Sequence, residues 1–294
     1  MLIAAVAFQV AAAVATPGQA PPRPYDHVVV VSFDGMRPDG MERADTPVLH
    51  RLRAEGAYAL HAETVGDSST LPSHSSMLAG VEVRVHGMNF DDLHPERGFI
   101  RVPTAFYHAH DAGFATAMFV SKEKLRHIAV PGSVDVWSRV SWSCARVAAA
   151  ASRYLATSTP GVTFLLFAEG DGAGHRYGWM SRRYLEALSR ADACLGTVID
   201  TLQARPDHDR VLVVVTADHG GHGRQHGTHR VEDLHIPWLA YGSRVVRGDF
   251  ETPVRTTDTA ATIMAALGME VPSEMTGRPV RQSLDGTAPA PQGP

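Results

Sequence analysis

The chain has 294 residues, 44% hydrophobic and 20% charged, an ordinary globular balance at a length that suits one large domain or two small ones. Its formal net charge of −4 argues against binding duplex nucleic acid through a broad basic face. A count of two cysteines excludes a disulfide framework; Cys144 and Cys194 lie in no metal-like cluster and read as small core hydrophobes, with one bridge open to them in an oxidising compartment.

Leu2 to Ala15 is apolar and too short to cross a membrane. The "AVA" at 13–15 is a small-x-small cleavage pattern. Residues 1–15 therefore read as a signal peptide, and the chain as periplasmic or secreted, with no membrane span beyond that leader. A Pro-rich linker over 16–25 follows, "TPGQAPPRP" being extended and solvated. A single domain over 26–285 and a flexible tail over 286–294 complete the expected organisation.

"HVVVVSF" (27–33) is a continuous β-branched run, as in a strand buried on both faces. "TPVLHRLRAEGA" predicts a helix with Pro47 near its start and Gly56 at its stop. "STLPSHSSMLAG" (69–80) predicts a short helix capped by Ser69 or Thr70. "VPTAFYHAHDAG" reads as a helix, "FATAMFV" (114–120) as a strand, "VSWSCARVAAAASRYLAT" as a helix and "VTFLLFA" (162–168) as a strand. A long amphipathic helix over 181–205, strands at 210–217 and "IPWLAYG", and a helix over 256–268 follow. Alternation of strand and helix predicts an α/β fold: a doubly wound, mostly parallel sheet with helices on both faces.

In such sheets ligands sit beyond the carboxyl ends of the strands. Asp34 follows the first strand, Asp171 the strand at 162–168 with His175 four residues on, and Asp218 and His219 the strand at 210–217. Converging carboxylates repel one another, and a divalent cation removes the conflict; mixed Asp/His ligation suits zinc. "TADHGGHGRQHGTH" adds four histidines on a Gly-rich loop that has no folding reason to carry them. Thr70, at a helix start, has a hydroxyl that a metal could convert to a nucleophile.

In order and spacing, "SFDGMRPD", "TLPSHSSMLAG", "VHGMN", "DGAGHRYG" and "TADHGGHGRQHG" with "IPWLAYG" resemble the alkaline phosphatase superfamily. The type I phosphodiesterase and nucleotide pyrophosphatase branch is the nearest. The resemblance implies two divalent metal ions, usually Zn2+, and a small phosphorylated substrate. Asp34, Thr70, Asp218 and His219 would hold one ion; Asp171, His175 and a late histidine would hold the other. His226 is the choice for that histidine, ahead of His229 and His222. Thr70 would attack phosphorus in line to form a phospho-threonine. His74 is read as supporting, and His235 as packing at a strand start. Asn89 is the candidate contact to a phosphoryl oxygen, because the position five after His86, where relatives carry Asn, is Asp91. Phe90, Trp179 and Tyr177 are the loop aromatics available for stacking, and each reads more simply as packing. Two other readings remain. One is a relative of the same fold: a sulfatase, which needs Cys or Ser where Thr70 stands, or a phosphomutase, which needs a cap domain. The other is a non-catalytic His-rich periplasmic zinc-binding protein.

Overall fold

The structure, a computed structural model, describes residues 23–250 and 252–286. The expected signal peptide, the linker up to residue 22 and the tail from residue 287 lie outside the described residues.

The apolar run His27–Phe33 forms β1. The remaining strands are β2 (Ala57–Glu63), β3 (Ala115–Val120), β4 (Val136–Arg139), β5 (Gly161–Phe167), β6 (Val211–Thr216), β7 (His235–Tyr241) and β8 (Gly248–Asp249). They form one sheet in the order β4-β3-β5-β1-β6-β7-β2-β8. β7 runs antiparallel to both its neighbours, and the other adjacent pairs are parallel. Every residue of β1, β5 and β6 is buried, which requires cover on both faces and explains why these strands are continuous rather than alternating.

The cover comes from ten α-helices among the described residues: α1 (Pro38–Arg43), α2 (Pro47–Glu55), α3 (Thr70–Ala79), α4 (Val83–His86), α5 (Ala105–Asp111), α6 (Cys144–Leu155), α7 (Glu169–Tyr177), α8 (Arg182–Gln203), α9 (Val231–Leu234) and α10 (Asp258–Ala266). α1, α2, α6 and α7 pack around α8, whereas α3, α5 and α10 pack on one another. The eight-stranded, mostly parallel sheet is the doubly wound architecture that strand and helix alternation predicts.

α7 is a helix not anticipated from the sequence, which places Asp171 and His175 only as following the strand at 162–168. Three glycines make it a poor helix former, but two are required by packing. A Cβ on Gly170 would lie 2.7 Å from the Asp34 carbonyl oxygen, and one on Gly174 would lie 2.6 Å from the Trp179 ring. The helix places Asp171 and His175 one turn apart on one face. The cysteines also depart from the expectation. They do not remain separate core residues: Cys144, which opens α6, is disulfide-bonded to Cys194 in α8, with Cα atoms 5.9 Å apart.

Candidate metal centre

Four adjacent parallel strands, β3, β5, β1 and β6, deliver their C-terminal ends to one place. Asp34 follows β1, Asp171 lies in the first turn of α7 after β5, Asp218 and His219 follow β6, and Lys122 follows β3. Thr70, the first residue of α3, is fully buried beside them. Its helix starts from Ser69 in extended backbone and ends on Gly80 in the left-handed region at φ 69°, a typical helix stop.

Two ligand-like groups emerge. Asp34, Asp218 and His219 converge, as do Asp171, His219 and His226, with ligand atoms of each group within 4.8 Å of one another. His219 Nε2 lies 3.6 Å from Asp34 Oδ1 and 3.4 Å from Asp218 Oδ2. His226 Nε2 lies 3.5 Å from Asp171 Oδ1, and His175 Nε2 lies 3.2 Å from the same oxygen. The His219 and His226 rings stack with centroids 3.8 Å apart.

Each of these imidazoles has its Nδ1 at a backbone carbonyl: His219 at Gly220 (2.8 Å), His226 at Ser68 (2.9 Å) and His175 at Arg224 (3.0 Å). A carbonyl only accepts, so Nδ1 carries the proton and Nε2 is directed at the carboxylates. That arrangement fixes the tautomer a metal ligand needs. His74 supports in the same way, with Nδ1 2.7 Å from the Thr70 carbonyl and Nε2 2.9 Å from Ser32 Oγ.

Burial, then the neighbouring Asp218, pushes the Asp34 carboxyl well above the usual range. Burial also acts upward on Asp171 and Asp218, but is outweighed. Lys122 and His175 hold Asp171 low, and His219, His74 and Lys122 hold Asp218 low. Burial, with His219 beside it, depresses His226 to about 4, so that ring is neutral at pH 7. The Asp171 carboxylate beside it raises His175 instead.

The residues present fit divalent metal ions. Asp34 Oδ1, Asp171 Oδ1, Asp218 Oδ2 and His219 Nε2 are buried without hydrogen-bond partners. On His226 a neutral imidazole lone pair faces a carboxylate oxygen. Orphaned buried polar atoms are costly, and lone pair against lone pair is repulsive; a cation between them removes both costs. The donor set is oxygen and imidazole nitrogen, which suits zinc.

The sequence-predicted residues Asp34, Thr70, Asp171, His175, Asp218, His219 and His226 are thus brought together. His175 is the outlying member, with its side chain 47% exposed. His222 turns to Asp233 (2.7 Å), and His229 lies against Gly66. Asn89 does not take the expected place: it is exposed, and Asp91 reaches the start of α3 instead. Asp91 accepts from the Leu71 backbone N–H (2.8 Å) and pairs with Lys124 Nζ (2.7 Å), which neutralises a carboxylate that would otherwise repel phosphate.

Trp179 is packing, wedged between Gly174 and Gly221 with its indole N–H on the Gly35 carbonyl (2.9 Å). Phe90 packs edge-on against His127. Trp142 is an exposed aromatic on a cavity of 320 Å³ that Lys122, Lys124, Arg139 and Asp171 also line, and Tyr177, at the end of α7, is exposed as well. A larger cavity of 730 Å³, lined by Arg255, Arg278 and Arg281, contains none of the site residues.

The sequence pattern of the family described as type I phosphodiesterase / nucleotide pyrophosphatase matches residues 28–238. Among curated proteins, the chain is 24% identical over 214 residues to a bis(5'-adenosyl)-triphosphatase of Mus musculus, covering 66% of this chain and 46% of that protein; it spans about half the length of that relative. Among solved structures, murine ectonucleotide pyrophosphatase / phosphodiesterase 5, as an inactive variant in complex with AMP, superposes with a TM-score of 0.74 at 16% identity, over 87% of this chain and 99% of that one. A 2-O GAG sulfatase gives a TM-score of 0.73 at 14% identity, over 88% of this chain and 74% of that one. Both structural likenesses concern the fold.

Proposed function

The chain belongs to the type I phosphodiesterase / nucleotide pyrophosphatase family, and on that premise we propose that it is a metal-dependent hydrolase of phosphoric esters acting through a phospho-threonine on Thr70. The observation that carries this reading is the group of orphaned carboxylate and imidazole atoms gathered beside a buried hydroxyl at a helix start. Asp34, Thr70, Asp218 and His219 would hold one divalent ion, and Asp171, His226 and His175 the other. Zinc is the ion this donor set favours. Bound there, the ions supply Lewis-acid stabilisation of charge on oxygen and favour the deprotonated hydroxyl.

The chain's own residues do the rest. Thr70 Oγ forms the new bond to phosphorus as the ester oxygen departs with its electron pair. Water then breaks the phospho-threonine, giving phosphate or a phosphomonoester and restoring the hydroxyl. His74 holds the Thr70 carbonyl, and so the first turn of α3, in place. Trp142 and Arg139 border the entrance for the rest of a small phosphorylated substrate. The disulfide supports an exported protein in an oxidising compartment.

The test is hydrolysis of bis-nitrophenyl phosphate and nitrophenyl phosphate with zinc present, for the native chain and Thr70→Ala. Turnover lost in the variant, with about two zinc ions retained per chain as two-metal catalysis requires, supports the reading. Turnover unchanged in Thr70→Ala removes the nucleophile assignment. Zinc binding without turnover of either ester favours the non-catalytic zinc-binding alternative.

A further inference from the structure

The proposed chemistry gives no task to Lys122, although Lys122 touches most of the site. Its Nζ lies 2.7 Å from Asp171 Oδ2, 2.8 Å from Asp34 Oδ2 and 3.0 Å from Thr70 Oγ1. The contacts to Asp171 and Thr70 are hydrogen bonds; the contact to Asp34 is an ion pair without hydrogen-bond alignment. The side chain is 6% exposed. A Lys is rarely buried so deeply unless it is paired. Here it is paired with one carboxylate from each of the two ligand groups, Asp34 from one and Asp171 from the other.

The charge inventory is one-sided. Asp34, Asp171 and Asp218 are three buried carboxylates, and Lys122 is the ammonium set among them. Removing one partner from a buried ionic cluster leaves the others uncompensated. Its ammonium holds Oδ2 of Asp34 and of Asp171, whose Oδ1 atoms are the orphaned ones facing the imidazoles, and it also takes the Thr70 hydroxyl that a divalent ion would use. Two sources of positive charge therefore compete for the same carboxylates.

We propose that Lys122 is a resident counter-ion of the metal-free site, which holds Asp34, Asp171 and Thr70 together until divalent ions displace its ammonium from the carboxylates. The ammonium thereby sets metal affinity below what the bare ligands would give. Lys122 is a positioning residue rather than a ligand. It has room to withdraw, because its side chain also lines the 320 Å³ cavity at the mouth of the site. The inference rests on the metal-dependent reading above, and extends it to how the site survives without metal.

The experiment compares the native chain with Lys122→Met and Lys122→Arg, each purified with zinc and then stripped by dialysis against chelator. Zinc affinity is read by competition with a chromophoric chelator, and thermal midpoints are read for metal-free and zinc-loaded protein. Lys122→Met is expected to bind zinc about tenfold tighter or more, one decade being about 1.4 kcal/mol, and to lose thermal stability in the metal-free form alone. Lys122→Arg keeps the cation and stays near the native affinity. Zinc affinity unchanged or weakened in Lys122→Met overturns the proposal. So do equal falls in the midpoints of both forms, which would mark an ordinary structural lysine. Absence of zinc binding in the native chain would sink the metal-dependent reading itself, an outcome distinct from native and Met forms binding equally.

Discussion

Asp91 Oδ1 lies 2.8 Å from the backbone nitrogen of Leu71, the residue directly after Thr70. A carboxylate therefore takes up the N–H at the start of α3 that an incoming phosphoryl oxygen would otherwise meet. Asp91→Asn keeps an acceptor for Leu71, removes the negative charge and frees the Lys124 ammonium. The expected result is a KM for nitrophenyl phosphate lower by about tenfold, or about 1.4 kcal/mol, with kcat little changed. A lower kcat at unchanged KM would mean that Asp91 only shapes the helix start.

His226 and His222 stand four residues apart on the same loop but face different partners. His226 points at Asp171, whereas His222 is bonded to Asp233. His226→Ala is expected to leave about one zinc ion per chain after dialysis, where the two-metal scheme needs two. His222→Ala is expected to keep both ions and lose stability instead. Metal analysis beside a melting curve separates the two, and the reverse pattern would reassign the late ligand.

His86 gives the fold an acid sensitivity of its own. It is buried; its Nε2 lies 2.8 Å from Ser76 Oγ, and its Nδ1 accepts from the Met88 backbone N–H at 3.0 Å. Burial depresses the imidazole to about 4, so it is unprotonated when folded at pH values where the unfolded chain already binds a proton. Its contribution is complete above the unfolded value of about 6.5 and falls as pH drops, by about 3 kcal/mol at pH 4. Denaturant titrations between pH 7 and pH 4 should show this slope, and His86→Gln should flatten it. An equal slope in the variant would place the titration elsewhere.

The Cys144–Cys194 bond ties the start of α6 to α8 across 50 residues. On loop-closure grounds, replacing both cysteines with serine should destabilise the chain by about 4 kcal/mol. Equilibrium denaturation of the double variant against the oxidised native chain measures this. A difference under about 1 kcal/mol would mean that the bond constrains little of the unfolded state.

The strands that carry the site were legible because burial on both faces forces an uninterrupted apolar run, as in β1, β5 and β6. Strands β2, β4 and β8 were not read. They are short or only partly buried, and Ala57–Glu63 shows neither a continuous run nor a clean alternation. Strand-end placement led to Asp34, Asp171 and Asp218 because carboxylates and histidines were the residues sought there. The same rule applied to β3 leads to Ser121 and Lys122 at once. Lys122 went unread because a lysine after a strand is usually solvent-facing, and its burial follows from three acidic or hydroxyl partners far away in the sequence. Asn89 lies exposed in an irregular segment, where spacing has no period from which a side chain's direction could be read.

The position of β1 has a consequence for how the protein is made. β1 is residues 27–33, but its neighbours in the sheet are residues 161–167 and 211–216. Pairings over such separations form slowly, because a long loop must close before any contact rewards it. Asp34 therefore waits, after its own segment has been synthesised, for nearly two hundred further residues before Asp218 can meet it. A nascent chain shorter than this carries Thr70 and Asp34 but not Asp218, His219 or His226, so the proposed metal centre can assemble only after β6 and the loop behind it have been made.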